Sequence, residues 1–325
     1  MHDIIIVGAG PVGLYASFYA GMRGLKGLLI ESQNYVGGQL ASIYPSKPIY
    51  DIPGFIKITA GDFIENLKAQ YQQFNQDIIL KTNTKLTEIK KVDDHFLVIC
   101  DKEQFETKTI LLTTGNGDYR PRPLDIKDAT NYSNIIYNFK DVTMFNDKKV
   151  AILGGGDSAV DFANMIKEVA SKTYLIHRRN EFRAHEDSLN KYKEKGVIYT
   201  PYKAISFGKT NDNLVTSLNI QNVETNEIKE IDVDYILVNY GNLPSSFDLT
   251  ALGFNGSKEG LDIDINLMTN IDGVYACGNV ITYASKIKTI TTGFAEAMTA
   301  INNINFRLFP NKNTKLIYSS MLMKK

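Results

Sequence analysis

The stretch Ile4-Ile5-Ile6-Val7-Gly8-Ala9-Gly10-Pro11-Val12-Gly13-Leu14 decides how the chain begins to fold. Four consecutive apolar residues read as a strand covered on both faces. A Gly-x-Gly-x-x-Gly turn follows, and the apolar run from Leu14 to Met22 reads as a helix. In this pattern the first glycine makes the tight turn. The second lets the backbone approach a pyrophosphate, and the third lets helix and strand pack closely. The helix N-terminus then faces the phosphate charge. The next strand ends at Glu31, where a carboxylate can accept hydrogen bonds from both ribose hydroxyls. Strand, turn, helix and acid in register predict a dinucleotide site. The alternative is an ordinary glycine turn beside a solvated glutamate.

Working outward, the same pattern occurs once more. Val150-Ala151-Ile152-Leu153 precedes Gly154-Gly155-Gly156-Asp157-Ser158-Ala159, which fits Gly-x-Gly-x-x-Ala. The position equivalent to Glu31 falls at His177, with Arg178 and Arg179 next and Arg183 in the following turn. A ribose 2′-phosphate would repel a carboxylate and attract guanidinium groups. The first site is therefore expected to take a dinucleotide without a 2′-phosphate, and the second to take NADPH. A solvated charged pair is the plainer reading of Arg178-Arg179. Two dinucleotide sites in one chain imply electron transfer between two cofactors, FAD held permanently in the first and NADPH transiently in the second.

The rest of the chain fits two nested domains. Residues 86–92, 96–100 and 105–107 alternate like short strands around polar turns, and 109–114 reads as a buried strand ending at Gly115. A proline-rich stretch at 119–123 reads as a linker. Another polar β region spans about 202–232, a strand at 235–239 ends at Gly241, and a second linker covers 242–244. A strand at 273–277 and a helix at 290–308 complete the pattern. We expect an α/β fold of two nested Rossmann-like (three-layer ββα) domains, parallel sheets with added antiparallel strands. The first domain comprises 1–118 and 243–325, and the second 119–242.

Composition narrows the function class. The 325 residues carry 36 basic and 36 acidic side chains, so no net charge points to nucleic acid. No apolar run reaches the roughly 20 residues needed to cross a bilayer. The first apolar run starts at Ile4, so no secretory leader is expected. Cys100 and Cys277 are far apart and lack CxxC spacing, which argues against a disulfide framework or zinc site and for a reducing cytoplasm. Cys100 reads as a small strand residue and Cys277 as an inert packing residue. His2 and His95 read as surface residues, and His185 as either a surface residue or an NADPH contact. No metal-ligand set or nucleophile–base constellation stands out, so the chemistry is assigned to cofactors.

These motifs, together with Tyr19-Ala20-Gly21-Met22-Arg23, Gly37-Gly38-Gln39-Leu40, Tyr44-Pro45, Ile49-Tyr50-Asp51, Gly54-Phe55, Phe182-Arg183-Ala184-His185-Glu186, Thr292-Gly293-Phe294 and Glu296-Ala297, resemble the thioredoxin-reductase-like type of ferredoxin–NADP reductase. The resemblance spans nearly the full length. It implies FAD contacts at Gly8, Gly10, Pro11, Gly13, Glu31, Gly38, Gln39, Tyr44, Asp51, Gly115, Tyr119, Gly278, Asn279 and Ser320. It implies NADPH contacts at Gly154, Gly156, Asp157, Ser158, Ala159, His177, Arg178, Arg179 and Arg183. Gln39 would meet the flavin end, Tyr44 would stack on one flavin face, and Asn279 would meet the ribityl chain. Tyr318-Ser319-Ser320 matches a C-terminal segment covering the other face, so Tyr44, Tyr318 and Ser319 are the expected catalytic residues. Members are usually homodimers. This chain departs from the pattern at Asn279, where Asp is usual, and at Tyr318, where His is common.

Relatives that reduce thioredoxin carry a CxxC before the second glycine motif. Here residues 137–142 read Tyr-Asn-Phe-Lys-Asp-Val. Electrons would then leave from the flavin directly, singly, to a ferredoxin or flavodoxin after hydride transfer from NADPH. The competing readings are an NADPH diaphorase with another acceptor and a flavin-binding module without turnover. NADPH selectivity at Arg178-Arg179 argues against the module.

Overall fold

Short apolar runs closed by glycine or a polar turn form the central strands of two sheets, one parallel and one parallel with an added antiparallel edge. In a computed structural model of the chain, all residues are described except Tyr44, Asp118, Tyr119, Lys140, 244–248 and 312–325, with backbone alone for Arg120 and Asn242. The chain divides into two compact units, Met1–Asp118 with Ser245–Lys325, and Tyr119–Pro244.

The first unit starts with β1 (His2–Val7), α1 (Pro11–Met22), β2 (Gly27–Ile30), the short α2 (Gly38–Ser42) and α3 (Ala60–Gln72). β3 (Ile78–Lys81), β4 (Leu86–Val92), β5 (His95–Cys100) and β6 (Gln104–Leu112) complete the run. The sheet order is β3-β2-β1-β6-β5-β4. Ile4, Ile5 and Ile6 are fully buried, as a central parallel strand requires. α1 packs against α3, and its Phe18 meets Phe74 edge-on at 5.7 Å.

Residues 105–107 and 109–114, expected as two strands, belong to one. Residues 104–107 of β6 pair antiparallel with β5. From Thr107 onward the same strand pairs parallel with β1. Lys108, whose charge suggests a break, instead sends its ammonium to Asp3 Oδ1 at 3.0 Å.

The inserted unit holds β7 (Ile135–Ile136), β8 (Lys149–Leu153), α4 (Asp157–Ile166), β9 (Lys172–Ile176), α5 (Glu186–Lys193) and β10 (Val197–Tyr199). β11 (Tyr202–Phe207), β12 (Ser217–Asn222), β13 (Ile228–Asp232) and β14 (Tyr235–Val238) follow. The parallel sheet runs β7-β14-β8-β9-β10, and β11-β12-β13 form a separate antiparallel sheet. One apolar cluster joins the two, with Leu153, Ile176 and Val238 from the first and Leu218 and Ile220 from the second.

The chain then returns to the first unit with β15 (Val274–Ala276), parallel to β6, and α6 (Ile290–Leu308), which packs on α1. Tyr15 of α1 lies 4.7 Å from Phe294 of α6. No helix among the described residues is long and apolar enough to cross a membrane.

Candidate functional site

Each parallel sheet carries a glycine loop at the C-terminal end of its central strand, where open α/β sheets receive ligands. In the first unit Gly8 presses on β6. A Cβ there would lie 2.8 Å from the Thr113 carbonyl oxygen, and one on Gly13 would lie 1.8 Å from the Gly8 carbonyl oxygen. Thr113 ties the turn down, its hydroxyl donating to the carbonyls of Val7 (2.9 Å) and Gly8 (2.7 Å). Gly10 differs, because a Cβ there would meet nothing within 4 Å. The loop is thus packed below and open above.

Gly10 is also the N-cap of α1 and offers no capping side chain, with Pro11 next. By contrast, Thr59 and Thr289 cap α3 and α6, accepting from Asp62 and Thr292 amides. The missing cap leaves first-turn N–H groups of α1 for an outside acceptor, such as a diphosphate. Glu31 sits beside the loop, its carboxylate accepting from the Ala9 N–H at 2.8 Å and the Gln33 N–H at 2.9 Å. Two carboxylate oxygens have lone pairs beyond these bonds, so ribose hydroxyls remain acceptable partners.

Other expected residues gather around this loop. The Gly37 N–H donates to the Ala9 carbonyl at 2.8 Å. Gly37 and Gly38 both hold positive φ (108° and 55°), so consecutive left-handed residues turn the chain into α2 and bring Gly38 against Gly10. Gln39 follows on α2, half-buried. Gly115 lies two residues past Thr113. Asp51 lines a cavity of about 370 Å³ with Leu40, Lys47, Ile49, Tyr50 and Ala60. Its carbonyl accepts from the Thr291 hydroxyl at 3.1 Å, linking this wall to α6. Gly278 and Asn279 follow β15, and Gly278 packs on Val12, to which a Cβ would lie 3.4 Å away.

Beneath that turn lies a buried carboxylate. Glu296 accepts from the Gly278 N–H at 2.8 Å and the Tyr283 hydroxyl at 2.7 Å, and the Lys286 ammonium bonds the same oxygen as Tyr283. Burial and the bonded carboxylate push the Tyr283 hydroxyl up to about 12, so it remains a donor at neutral pH. Cys277 is fully buried, which raises its thiol far above the usual range, and burial pushes Cys100 up to about 11.

The second unit repeats the loop with different surroundings. A Cβ on Gly154 would lie 2.4 Å from the Asn239 carbonyl oxygen, so this glycine presses on the end of β14. A Cβ on Gly156 would meet nothing within 4 Å, and Gly156 is an uncapped N-cap of α4. Ala159 fits where the first loop needs glycine. The middle residue is explained by a neighbour, since a Cβ on Gly155 would strike the His177 ring at 2.4 Å.

His177 therefore folds back over its own glycine loop. Its Nε2 lies 3.2 Å from the Glu181 carbonyl oxygen, and its ring leans on Phe182 at 5.0 Å. Burial lowers its pKa, and Arg179, Arg178 and Arg183 lower it further, against the Glu181 carbonyl. The turn is laced to α4. The Arg183 N–H donates to the Gly155 carbonyl (2.8 Å), and the His185 N–H to Asp157 Oδ1 (3.3 Å). Asp157 thus braces the basic turn, beside Ser158 on the first turn of α4. Arg178, Arg179 and Arg183 are exposed, and no ion pair among the described residues engages them. The arrangement can receive a diphosphate at Gly156 and a further anion at the arginines.

Tyr44, Tyr119, Tyr318, Ser319 and Ser320 lie outside the described residues. The sequence reading missed Thr113, the reason for Gly155, and Lys286 with Tyr283. A threonine closing a buried strand beside a glycine loop is a usable signal for the first. The others depend on contacts that spacing does not encode. Among the described residues no cluster of His, Cys, Asp and Glu could hold a metal ion.

The pyridine nucleotide-disulphide oxidoreductase family profile matches residues 2–302. A ferredoxin–NADP reductase of Acholeplasma laidlawii is 44% identical over 324 residues, covering 100% of both chains. A ferredoxin–NADP reductase 2 of Shouchella clausii is 41% identical, covering 97% of this chain and 98% of its own. Among solved structures, Lactococcus lactis thioredoxin reductase is similar at 25% identity and a TM-score of 0.72, covering 94% of this chain and 98% of its own. The thioredoxin reductase of T. acidophilum, at 20% identity and a TM-score of 0.72, shares the fold.

Proposed function

The chain belongs to the pyridine nucleotide-disulphide oxidoreductase family, and on that premise we propose that it is a ferredoxin (or flavodoxin)–NADP reductase using FAD and NADPH. One observation carries the reading: two open, uncapped glycine loops in one chain end their second strands oppositely, in Glu31 and in His177-Arg178-Arg179. The residues present fit the groups. Gly10 and Gly156 leave open space where a side chain would stand, and each loop presents an uncapped helix start to a diphosphate.

The discontinuous unit, 1–118 with 243–325, holds FAD, and 119–242 holds NADPH. FAD, when bound, supplies the exchange between hydride and single electrons. Glu31 orients the adenosine ribose. Gln39, Asp51 and Asn279 would hold the flavin end, and the resemblance supports Tyr44 and Tyr318, which lie outside the described residues, as its aromatic partners. Arg178, Arg179 and Arg183 select the 2′-phosphate, while Asp157 holds their turn in place. With no cysteine pair at 137–142, electrons leave to a small one-electron protein. A homodimer and a cytoplasmic setting complete the reading, supported by the resemblance and by cysteine usage.

The test is direct. Anaerobic addition of NADPH to the purified yellow protein should bleach it, and ferredoxin or flavodoxin should restore the colour. A protein that keeps its oxidised spectrum with excess NADPH overturns the proposal.

A further inference from the structure

Glu296 is a carboxylate only 6% exposed, in the second turn of α6. A buried charge is tolerable only when paired and hydrogen-bonded. Its three donors, Gly278 N–H, Tyr283 hydroxyl and Lys286 ammonium, all come from one segment, 278–286. The Lys286 side chain is itself 3% exposed, so the pair is enclosed and poorly screened. That segment begins with the Gly278-Asn279 turn, which packs on Val12 beside the open loop of the first unit.

We infer that Glu296, with Lys286 and Tyr283, is a positioning residue for the bound flavin. It fixes the Gly278 N–H, and through it the Asn279 turn, while its balance with Lys286 sets part of the electrostatic field at the cofactor. The inference rests on the reading that FAD occupies the first unit. A clamp that merely staples α6 to the sheet would change stability alone. A clamp that serves the flavin changes affinity and midpoint potential, with opposite signs for loss of either charge. Glu296→Gln leaves Lys286 without a counter-charge. Excess positive charge favours the more negative reduced flavin, so the potential rises. Lys286→Met leaves Glu296 unopposed, so the potential falls.

The experiment uses purified wild-type, Glu296→Gln and Lys286→Met proteins. Extracted FAD per chain, FAD titration of the apoproteins, midpoint potential at full occupancy and thermal unfolding of the apoproteins are measured. Both variants are expected to bind FAD on the order of tenfold more weakly, the effect of disturbing a hydrogen bond to a charged group. Their potentials should move apart, upward in Glu296→Gln and downward in Lys286→Met. Wild-type affinity and potential in both variants overturn the inference, whatever their melting temperatures. Should neither variant fold, Tyr283→Phe, which removes one oxygen from a partly exposed ring, carries the test. It should weaken FAD binding by a smaller factor, and unchanged affinity overturns the inference. Wild-type protein that binds no FAD would instead defeat the reading of the site, a result distinct from either.

Discussion

Glu31 closes the second strand of one glycine-loop unit, and Arg178 follows His177, its counterpart in the other, yet the surroundings of the two charges differ. Glu31 is almost buried and already engaged by the Ala9 and Gln33 amides, so its position is set before any ligand arrives. Arg178 and Arg179 are exposed on a turn that is held from behind by the Gly155 carbonyl and Asp157. A doubly charged 2′-phosphate would bind there through charge-assisted bonds, worth roughly 1.5–3 kcal/mol each. Replacing both arginines with alanine should therefore raise the KM for NADPH on the order of tenfold or more and leave NADH little changed. Melting temperature should hold, because exposed side chains outside any ion pair among the described residues contribute little to stability. Steady-state kinetics with the two coenzymes check this, and an equal loss for both refutes the assignment. The place of the arginines, just past the end of β9, was legible in the sequence because spacing preserves an offset from a strand end. Gly155 was not, because its reason is the His177 ring that folds over it.

At the scale of elements, the strand–loop–helix units were readable because their signal is local. Four apolar residues, a glycine pattern and an apolar helix lie within 20 consecutive positions. β6 was misread because one strand serves two partners and changes character midway, from the half-exposed hairpin with β5 to the buried pairing with β1. The clamp around Glu296 joins α6 to the turn after β15, and nothing in helical periodicity distinguishes its carboxylate from a surface one. The two glycines of the first loop make separable predictions. Gly10→Ala adds a methyl group to open space, so the protein should fold with an unchanged melting temperature but lose FAD, since the methyl occupies the phosphate approach. Gly13→Ala drives a methyl group to 1.8 Å from the Gly8 carbonyl oxygen, so α1 must move off β1. Such overpacking costs typically about 1–3 kcal/mol, and this protein should melt earlier even as apoprotein. Apoprotein melting curves and extracted flavin separate the two effects, and a Gly10→Ala protein with normal flavin content rejects the open-loop assignment.

At the scale of the whole molecule, the question is how electrons leave a fold that thioredoxin reductases also use. A dithiol route needs a cysteine pair that can reach the flavin and present a thiolate. Residues 137–142 supply no cysteine. The two thiols present are both buried, and burial holds each well above the range where a thiolate forms at neutral pH. Neither can start thiol–disulfide exchange without unfolding its surroundings. The purified holoprotein should therefore reduce ferredoxin or flavodoxin with NADPH and should not reduce thioredoxin. It should also keep its activity after treatment with N-ethylmaleimide under native conditions, because an alkylating agent meets no exposed thiolate. The same treatment in denaturant should label both cysteines, which confirms that protection comes from the fold. Robust NADPH-dependent thioredoxin reduction, or loss of activity in step with native alkylation, would show that a thiol lies on the electron path and that the flavin is not the exit.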